Sequence, residues 1–227
     1  MSELTPIAVD VISDVVCPWC YIGQKRLARA VEIADDVAVE IRWRPYQLDP
    51  DVQQGGVDRR EYMIGKFGAE DRVKQAHANV MQAASGDGID FRFDDIKVSP
   101  NTLDAHRLIR WAGSDGSETQ GRVARRLFRA FFEEGQDVGD HQVLVSVARD
   151  AGMDAAVVEA MLATDTDRDA VRDEIALAQR MGVTGVPCFL IEGRYAVVGA
   201  QESATLADAI RQVAGMKSRG ELPEAAG

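Results

Sequence analysis

The chain has 227 residues, 46% of them hydrophobic, enough for a sizeable core in one large domain or two small ones. Lys and Arg number 26 against 37 Asp and Glu, and the net charge of −11 argues against unaided binding to nucleic acid or an anionic membrane surface. No run approaches the roughly 18 apolar residues of a membrane-spanning helix, Met1 to Thr5 carries no signal-peptide pattern, and three cysteines make a poor disulfide framework. A cytoplasmic protein with one catalytic cysteine pair and one spare thiol is therefore expected.

Ile7 to Ser13 is rich in β-branched residues and reads as a buried strand. A helical pattern follows at once, with Tyr21, Ile22, Leu27, Ala30, Val31 and Ala34 on one face. Val37 to Tyr46 alternates, placing Val37, Val39, Ile41 and Trp43 together as a second strand. Strand, helix and strand in this order suggest a right-handed βαβ unit with parallel strands. Pro45, Pro50 and the run Gln53 to Gly56 break the pattern and mark a domain boundary near residue 50.

From about Val57 to Thr164 the period is helical almost throughout. Val73, Ala76, Val80, Met81 and Ala84 form one apolar stripe closed by Gly86, and Ile89 to Lys97 reads as an extended connector or short strand. Ser99-Pro100 is expected to cap a helix running to Trp111 and stopped by Gly113. Ser117 with Gln120 has the spacing of a capping box for Val123 to Phe132, with Gly135 as its stop. Asp140 and Asp154 look like caps for two short helices ending near Ala151 and Ala163. Phe128, Phe131 and Phe132 read as bundle core, and the run Arg122, Arg125, Arg126 and Arg129 as a solvated face.

A longer helix is predicted over Asp167 to Met181, with Val171, Ile175, Ala178 and Met181 inward and Gly182 as its stop. Cys188 to Ile191 and Tyr195 to Val198 flank the turn Glu192-Gly193-Arg194 and predict a β-hairpin. Ser203 caps a final helix that buries Leu206, Ile210 and Val213, and the tail from Lys217 is polar and read as disordered. The outer segments thus spell β-α-β and then α-β-β-α. That is an α/β thioredoxin-like fold, formed by residues 1–50 and 165–217, carrying an all-helical insertion over 51–164, with 218–227 as tail.

The chemistry concentrates at Cys17-Pro18-Trp19-Cys20, where the first strand gives way to its helix. A helix N-terminus leaves backbone N–H groups unpaired and carries partial positive charge, so it favours a thiolate. A cysteine so placed can have its pKa lowered from about 8.5 to about 3.5–7.5. Cys17 is then the nucleophile at the exposed helix tip, Cys20 the resolving thiol one turn deeper, and Pro18 fits the first turn, where an N–H is dispensable. The competing reading is a zinc site, but Cys188, His77, His106 and His141 offer no second ligand pair in the usual spacing.

Three stretches together resemble the DsbA-like oxidoreductases, closest to the FrnE-type branch usually found in the cytosol. They are Asp14 to Gly23, Asn101-Thr102 with Ala105-His106-Arg107, and Gly185-Val186-Pro187 with Gly199-Ala200-Gln201. The resemblance spans about residues 7 to 214. It extends to the kappa glutathione transferases and the 2-hydroxychromene-2-carboxylate isomerases, which have a serine where Cys17 stands. It implies a cis Val186–Pro187 bond facing the cysteines, with the Val186 backbone free to pair with an extended substrate. An ordinary trans proline at the start of a strand is the alternative.

The resemblance sets His106 over the active-site groove, to bond substrate or stabilise the Cys17 thiolate. A satisfied helix histidine is the other reading. Asn101 is a candidate substrate contact, although Asn101 and Thr102 also suit first-turn capping. Trp19 should be exposed and pack against a bound peptide or glutathione. Asp14 is either a proton acceptor near the helix tip or a turn aspartate. Cys188 is expected to be buried and inert, pointing away from the face of Val186, with a third redox thiol as the alternative. His77 and His141 read as surface residues.

Thiol–disulfide exchange with protein or small-molecule thiols is the expected function, with no bound cofactor, no metal, and glutathione as a possible co-substrate. Two other classes stand beside it. A kappa-type glutathione-dependent transferase or isomerase would not need Cys20, and a peptide-binding or chaperone module would need neither cysteine.

Overall fold

The computed structural model describes residues 6–223. The first strand, β1 (Ile7–Ser13), feeds the helix α1 (Pro18–Ile33) and then β2 (Val39–Pro45). β1 and β2 are parallel, with Ile7 opposite Val39 and Val11 opposite Trp43. Much later the chain returns as β5 (Cys188–Ile191) and β6 (Tyr195–Val198), giving a four-stranded sheet in the order β2-β1-β5-β6. β5 lies antiparallel to both neighbours, with Ile12 opposite Cys188. Glu192 and Gly193 both take positive φ, 54° and 66°, which lets the hairpin close in two tight steps.

Alternation along β1 sends side chains to two faces. Val9 and Val11 join Ile22, Leu27, Phe189, Leu206 and Ile210 in the main core. This face is covered by α1 and by the last helix, α9 (Ser203–Ser218). Ile12 and Cys188 face the other way, against Ala178 of α8 (Arg168–Arg180).

The insertion is helical apart from a short ribbon. β3 (Val57–Asp58) and β4 (Val98–Ser99) pair antiparallel, which the sequence had concealed. Between them run α2 (Arg59–Phe67), α3 (Glu70–Ala83) and, within the connector expected over Ile89 to Lys97, a single 3₁₀ turn over Phe93–Asp95. α4 (Leu103–Ser114), α5 (Ser117–Phe132), α6 (His141–Asp150) and α7 (Ala155–Leu162) follow. Asp140 and Asp154 cap α6 and α7 as expected, accepting from Gln142 N at 2.6 Å and from Ala156 N at 3.0 Å. One hydrophobic cluster runs without a break from Val9 and Tyr21 into Leu127, Phe128, Phe131 and Phe132. The insertion and the sheet therefore share a core. Tyr21 stacks on Phe128 with ring centroids 5.3 Å apart and donates a 2.8 Å hydrogen bond to Glu133.

Several local expectations are corrected. α5 starts after Gly116 with no side-chain cap, because the Gln120 amide accepts from Trp43 N at 2.9 Å and donates to Trp43 O at 3.2 Å instead. α4 starts at Leu103, since Ser99 is occupied in β4 and Asn101 Oδ1 accepts from Leu103 N at 2.9 Å; it runs through Gly113 to Ser114. Met81 and Met181 lie on the outer edges of their stripes and remain 48% and 53% exposed. The final helix is capped at Glu202 rather than Ser203 and continues to Ser218. Lys217, assigned to the tail, donates to Pro6 O at 3.0 Å and pairs with Glu192 at 2.9 Å. The last part of the proposed tail, 224–227, lies outside the described residues.

Candidate functional site

Cys17 is the N-cap of α1, in extended conformation, and Pro18 follows in the first turn. Its backbone N donates to Asp14 O at 3.0 Å, and its carbonyl accepts from Cys20 N at 3.0 Å. No side chain caps this helix and no acidic residue sits in its first turn, so nothing competes with Cys17 for the positive helix end. All three cysteines are free thiols.

The helix tip is less open than expected. Cys17 is only 4% exposed, close to the 1% of Cys20, while Trp19 between them is 41% exposed. What separates the two thiols is direction. Cys17 lines a cleft of about 510 Å³, together with Pro18, Trp19 and Val186. Cys20 is enclosed by the core, and burial, then the adjacent Cys17, push its thiol well above the ordinary value.

The Val186–Pro187 peptide bond is cis, and the Cys17 thiol donates to Val186 O at a sulfur–oxygen distance of 3.8 Å. Pro187 rests against α1 at Gly23, where an added Cβ would stand 2.9 Å from Pro187 Cγ and 3.0 Å from Phe189 Cζ. Only glycine admits this approach without movement of the loop.

Asp14 and His106 are both buried, with Asp14 on the wall of the cleft that Cys17 lines. Asp14 Oδ2 accepts from Leu48 N at 2.9 Å; its Oδ1 lies 3.4 Å from His106 Nε2, and neither of these two atoms makes a hydrogen bond. His106 thus meets Asp14 and does not line the cleft of Cys17. Asn101 does not face it either: its side chain binds Gln47, Val52 O and Leu103 N, whereas its neighbour Thr102 reaches the cleft wall.

Cys188 is buried on the far face of the sheet beside a separate groove of about 430 Å³, and burial raises its thiol. His141 has a partner, its Nε2 lying 2.8 Å from Asp104 Oδ2. His77 is half-buried, stacks on Phe93 with centroids 4.0 Å apart and lines the cleft. His141 is exposed, as the surface reading expects, but is not partnerless, whereas His77 leaves the surface to pack on Phe93; both partners are distant in sequence.

The opposite wall comes from the insertion. Arg59, Tyr62, Met63, Lys66 and Phe67 of α2 face the cleft with Phe93. Lys66 is neutralised there by Asp49 Oδ2 at 2.6 Å. Arg26, also unmarked by the sequence, ties three segments together. It pairs with Asp87 at 3.0 Å and donates to Ala83 O and Ala200 O, each at 2.8 Å. Its position on α1, one turn beyond Ile22 and Gly23, is the only signal the sequence offers. Among the described residues, no group of three or more His, Cys, Asp or Glu side chains is placed to hold a metal ion, and no helix is long and apolar enough to cross a membrane.

The family model for the DSBA-like thioredoxin domain matches residues 8–211. The uncharacterized protein YwbO of Bacillus subtilis (strain 168) is 28% identical over 192 residues, covering 82% of this chain and 86% of that one. A probable DsbA oxidoreductase from Streptomyces coelicolor has a similar structure, with a TM-score of 0.83 and 29% identity, covering 97% and 93% of the two chains. The cytosolic disulfide reductase DsbM from Pseudomonas aeruginosa, solved with GSH, shares the fold at a TM-score of 0.61 and 17% identity, covering 93% and 99%. A cysteine pair at a strand-to-helix tip, a sheet of this order and a match over most of its length lead to one conclusion: the chain belongs to the DSBA-like thioredoxin domain family.

Proposed function

We propose that the protein exchanges disulfides through Cys17 and Cys20, acting in the cytoplasm on protein or small-molecule thiols, glutathione among them. The observation that carries this is the placement of Cys17: at an uncapped helix N-terminus, beside Val186, on the wall of a cleft. The run Asp14 to Gly23 further supports the FrnE-type branch, and the DsbM structure with GSH supports a small thiol as partner.

In the reducing direction the Cys17 thiolate attacks one sulfur of a substrate disulfide, and the other leaves as a thiolate that takes a proton. The mixed disulfide holds Cys17. Cys20 then gives up its proton and attacks Cys17 Sγ, releasing the second substrate thiolate and closing Cys17–Cys20. In the oxidising direction a substrate thiolate attacks Cys17 of that disulfide and Cys20 leaves. Its raised pKa means Cys20 leaves as a group that is promptly protonated. A second substrate thiolate then attacks the substrate sulfur and frees Cys17. Val186 offers its backbone to an extended substrate lying along the cleft, and Trp19 offers an exposed aromatic face.

The test is Cys20→Ser with glutathione disulfide and with a disulfide-bonded protein as substrates. Mass spectrometry should show mixed disulfides accumulating at Cys17, and Cys188→Ser should not prevent them. Robust glutathione conjugation of electrophiles in both the parent and Cys20→Ser, with no disulfide exchange in either, would establish the transferase class instead.

A further inference from the structure

Arg59 stands in the cleft as a cation without an anion. Its Nη1 donates to Ser99 Oγ at 3.2 Å, and its guanidinium lies 5.8 Å from the Phe131 ring centroid. Among the described residues, no carboxylate reaches ion-pair distance of it. Burial draws its affinity for the proton below the ordinary value, with Tyr62 and Asp49 acting only from a distance. The other cation of this wall, Lys66, is already matched by Asp49. Beside Arg59, His77 packs flat on Phe93 with its Nε2 buried and without a hydrogen-bond partner. Burial, then the charge of Arg59, hold the His77 ring towards its neutral form, so Arg59 supplies the local charge.

A partly desolvated guanidinium with most of its donors unused is costly to keep unpaired. The group best matched to those donors is a carboxylate, which can accept two parallel N–H bonds. The cleft volume of about 510 Å³ leaves room for one to arrive on a ligand that also reaches Cys17. We infer that Arg59, with His77 Nε2 as a second polar contact, binds a carboxylate of the substrate, so that the preferred thiols and disulfides carry an acid group. The inference rests on the exchange chemistry proposed above and adds the substrate class. Cys17 on the sheet side would carry the chemistry, and Arg59 on the insertion side the selection.

The experiment compares the parent, Arg59→Gln and Arg59→Lys on three disulfides: glutathione disulfide, uncharged 2-hydroxyethyl disulfide, and a disulfide peptide made with either Glu or Gln beside its cysteine. The parent should favour glutathione disulfide over the uncharged compound. Arg59→Gln should cut that ratio of kcat/KM roughly 10- to 100-fold, mostly through KM, in keeping with loss of a charged hydrogen bond. Arg59→Lys should restore part of it. A Glu-over-Gln preference in the peptide arm would show that a protein side chain can supply the carboxylate, and its absence would confine the site to small thiols.

A calorimetric titration with S-methylglutathione, which has two carboxylates and no exchangeable sulfur, separates the two proposals. If the parent exchanges none of the disulfides yet binds S-methylglutathione through Arg59, the exchange reading fails and the anion site stands. If Arg59→Gln, shown folded by circular dichroism, keeps both the kcat/KM ratio and the S-methylglutathione affinity, the anion site is refuted.

Discussion

Gly23→Ala tests whether the close approach of α1 to Pro187 sets the geometry at Cys17. An alanine methyl would stand 2.9 Å from Pro187 Cγ and 3.0 Å from Phe189 Cζ. Phe189 is fully buried, so it has nowhere to retreat, and the loop carrying Val186 and Pro187 must give. Overpacking of this kind costs about 1–3 kcal/mol. Alanine regains about 0.8–1.0 kcal/mol of helix propensity over glycine. The net change should therefore be a loss of about 0–2 kcal/mol, together with slower disulfide exchange as Val186 shifts from Cys17. Gly65, inside α2, is the control: a Cβ there meets nothing within 4 Å. Gly65→Ala should stabilise by up to about 1 kcal/mol. Urea unfolding and the rate of glutathione disulfide reduction measure both effects. Were Gly23→Ala stabilised as much as Gly65→Ala, with its exchange rate unchanged, the contact would not constrain the site.

Two further outcomes follow from the buried charges of α4. Arg107 is fully buried and donates to the carbonyls of Met161, Thr164 and Thr166 and to Asp104, at 2.7–2.9 Å. Arg107→Ala leaves the carbonyls of Thr164 and Thr166 without this donor, takes one partner each from Met161 O and Asp104, and should cost about 3–5 kcal/mol in urea unfolding; a loss below about 1 kcal/mol would contradict the clamp. Burial works to raise the Asp104 carboxyl, but hydrogen bonds from His141 and Arg107 and the charge of Arg168 outweigh it and hold the carboxyl below its usual value. The unfolded chain then binds this proton more tightly than the folded one, so the stabilisation is complete above about pH 4 and is lost as pH falls further. Unfolding free energies measured from pH 5 to pH 3 should fall less steeply for Asp104→Asn than for the parent, and equal slopes would remove Asp104 as a cause.

What could be read in advance was whatever is decided locally. A β-branched run meeting C-x-x-C at a helix start, aspartates at α6 and α7, and three phenylalanines on one face of α5 each have a short-range cause. Where a local pattern met a distant demand, the distant one prevailed. Ser117 and Gln120 have capping-box spacing, yet Gln120 answers two buried backbone groups of Trp43, 77 positions away. Leaving a buried N–H and C=O unpaired costs more than an uncapped helix end, whose amides can bond to water. His141 looked partnerless because Asp104 lies 37 positions back. Met81 and Met181 satisfy the helical period, but a period fixes only direction, and no element covers those flanks. Arg59 and His77 carry no motif at all, and only folding α2 and α3 over the cysteines gives them a shared cleft.

The same contacts explain why the insertion cannot be treated as a detachable module of the site. The cleft has one wall from the tip of α1 and the Val186 loop, and another from α2 and α3. Their spacing is held behind the chemistry by groups that touch no substrate. Tyr21, immediately after Cys20, stacks on Phe128 and Phe132 of α5, so the cysteine helix is packed directly into the insertion. One turn along, Arg26 joins the chain after α3 to Ala200 after β6. Excising 51–164 would expose Tyr21, leave Arg26 without Asp87 and remove the insertion-side wall with Arg59, all in one step. On the reading proposed above, the selection of a substrate and the reaction with it can thus be separated by single substitutions, at Arg59 and Cys20, but not by cutting the chain.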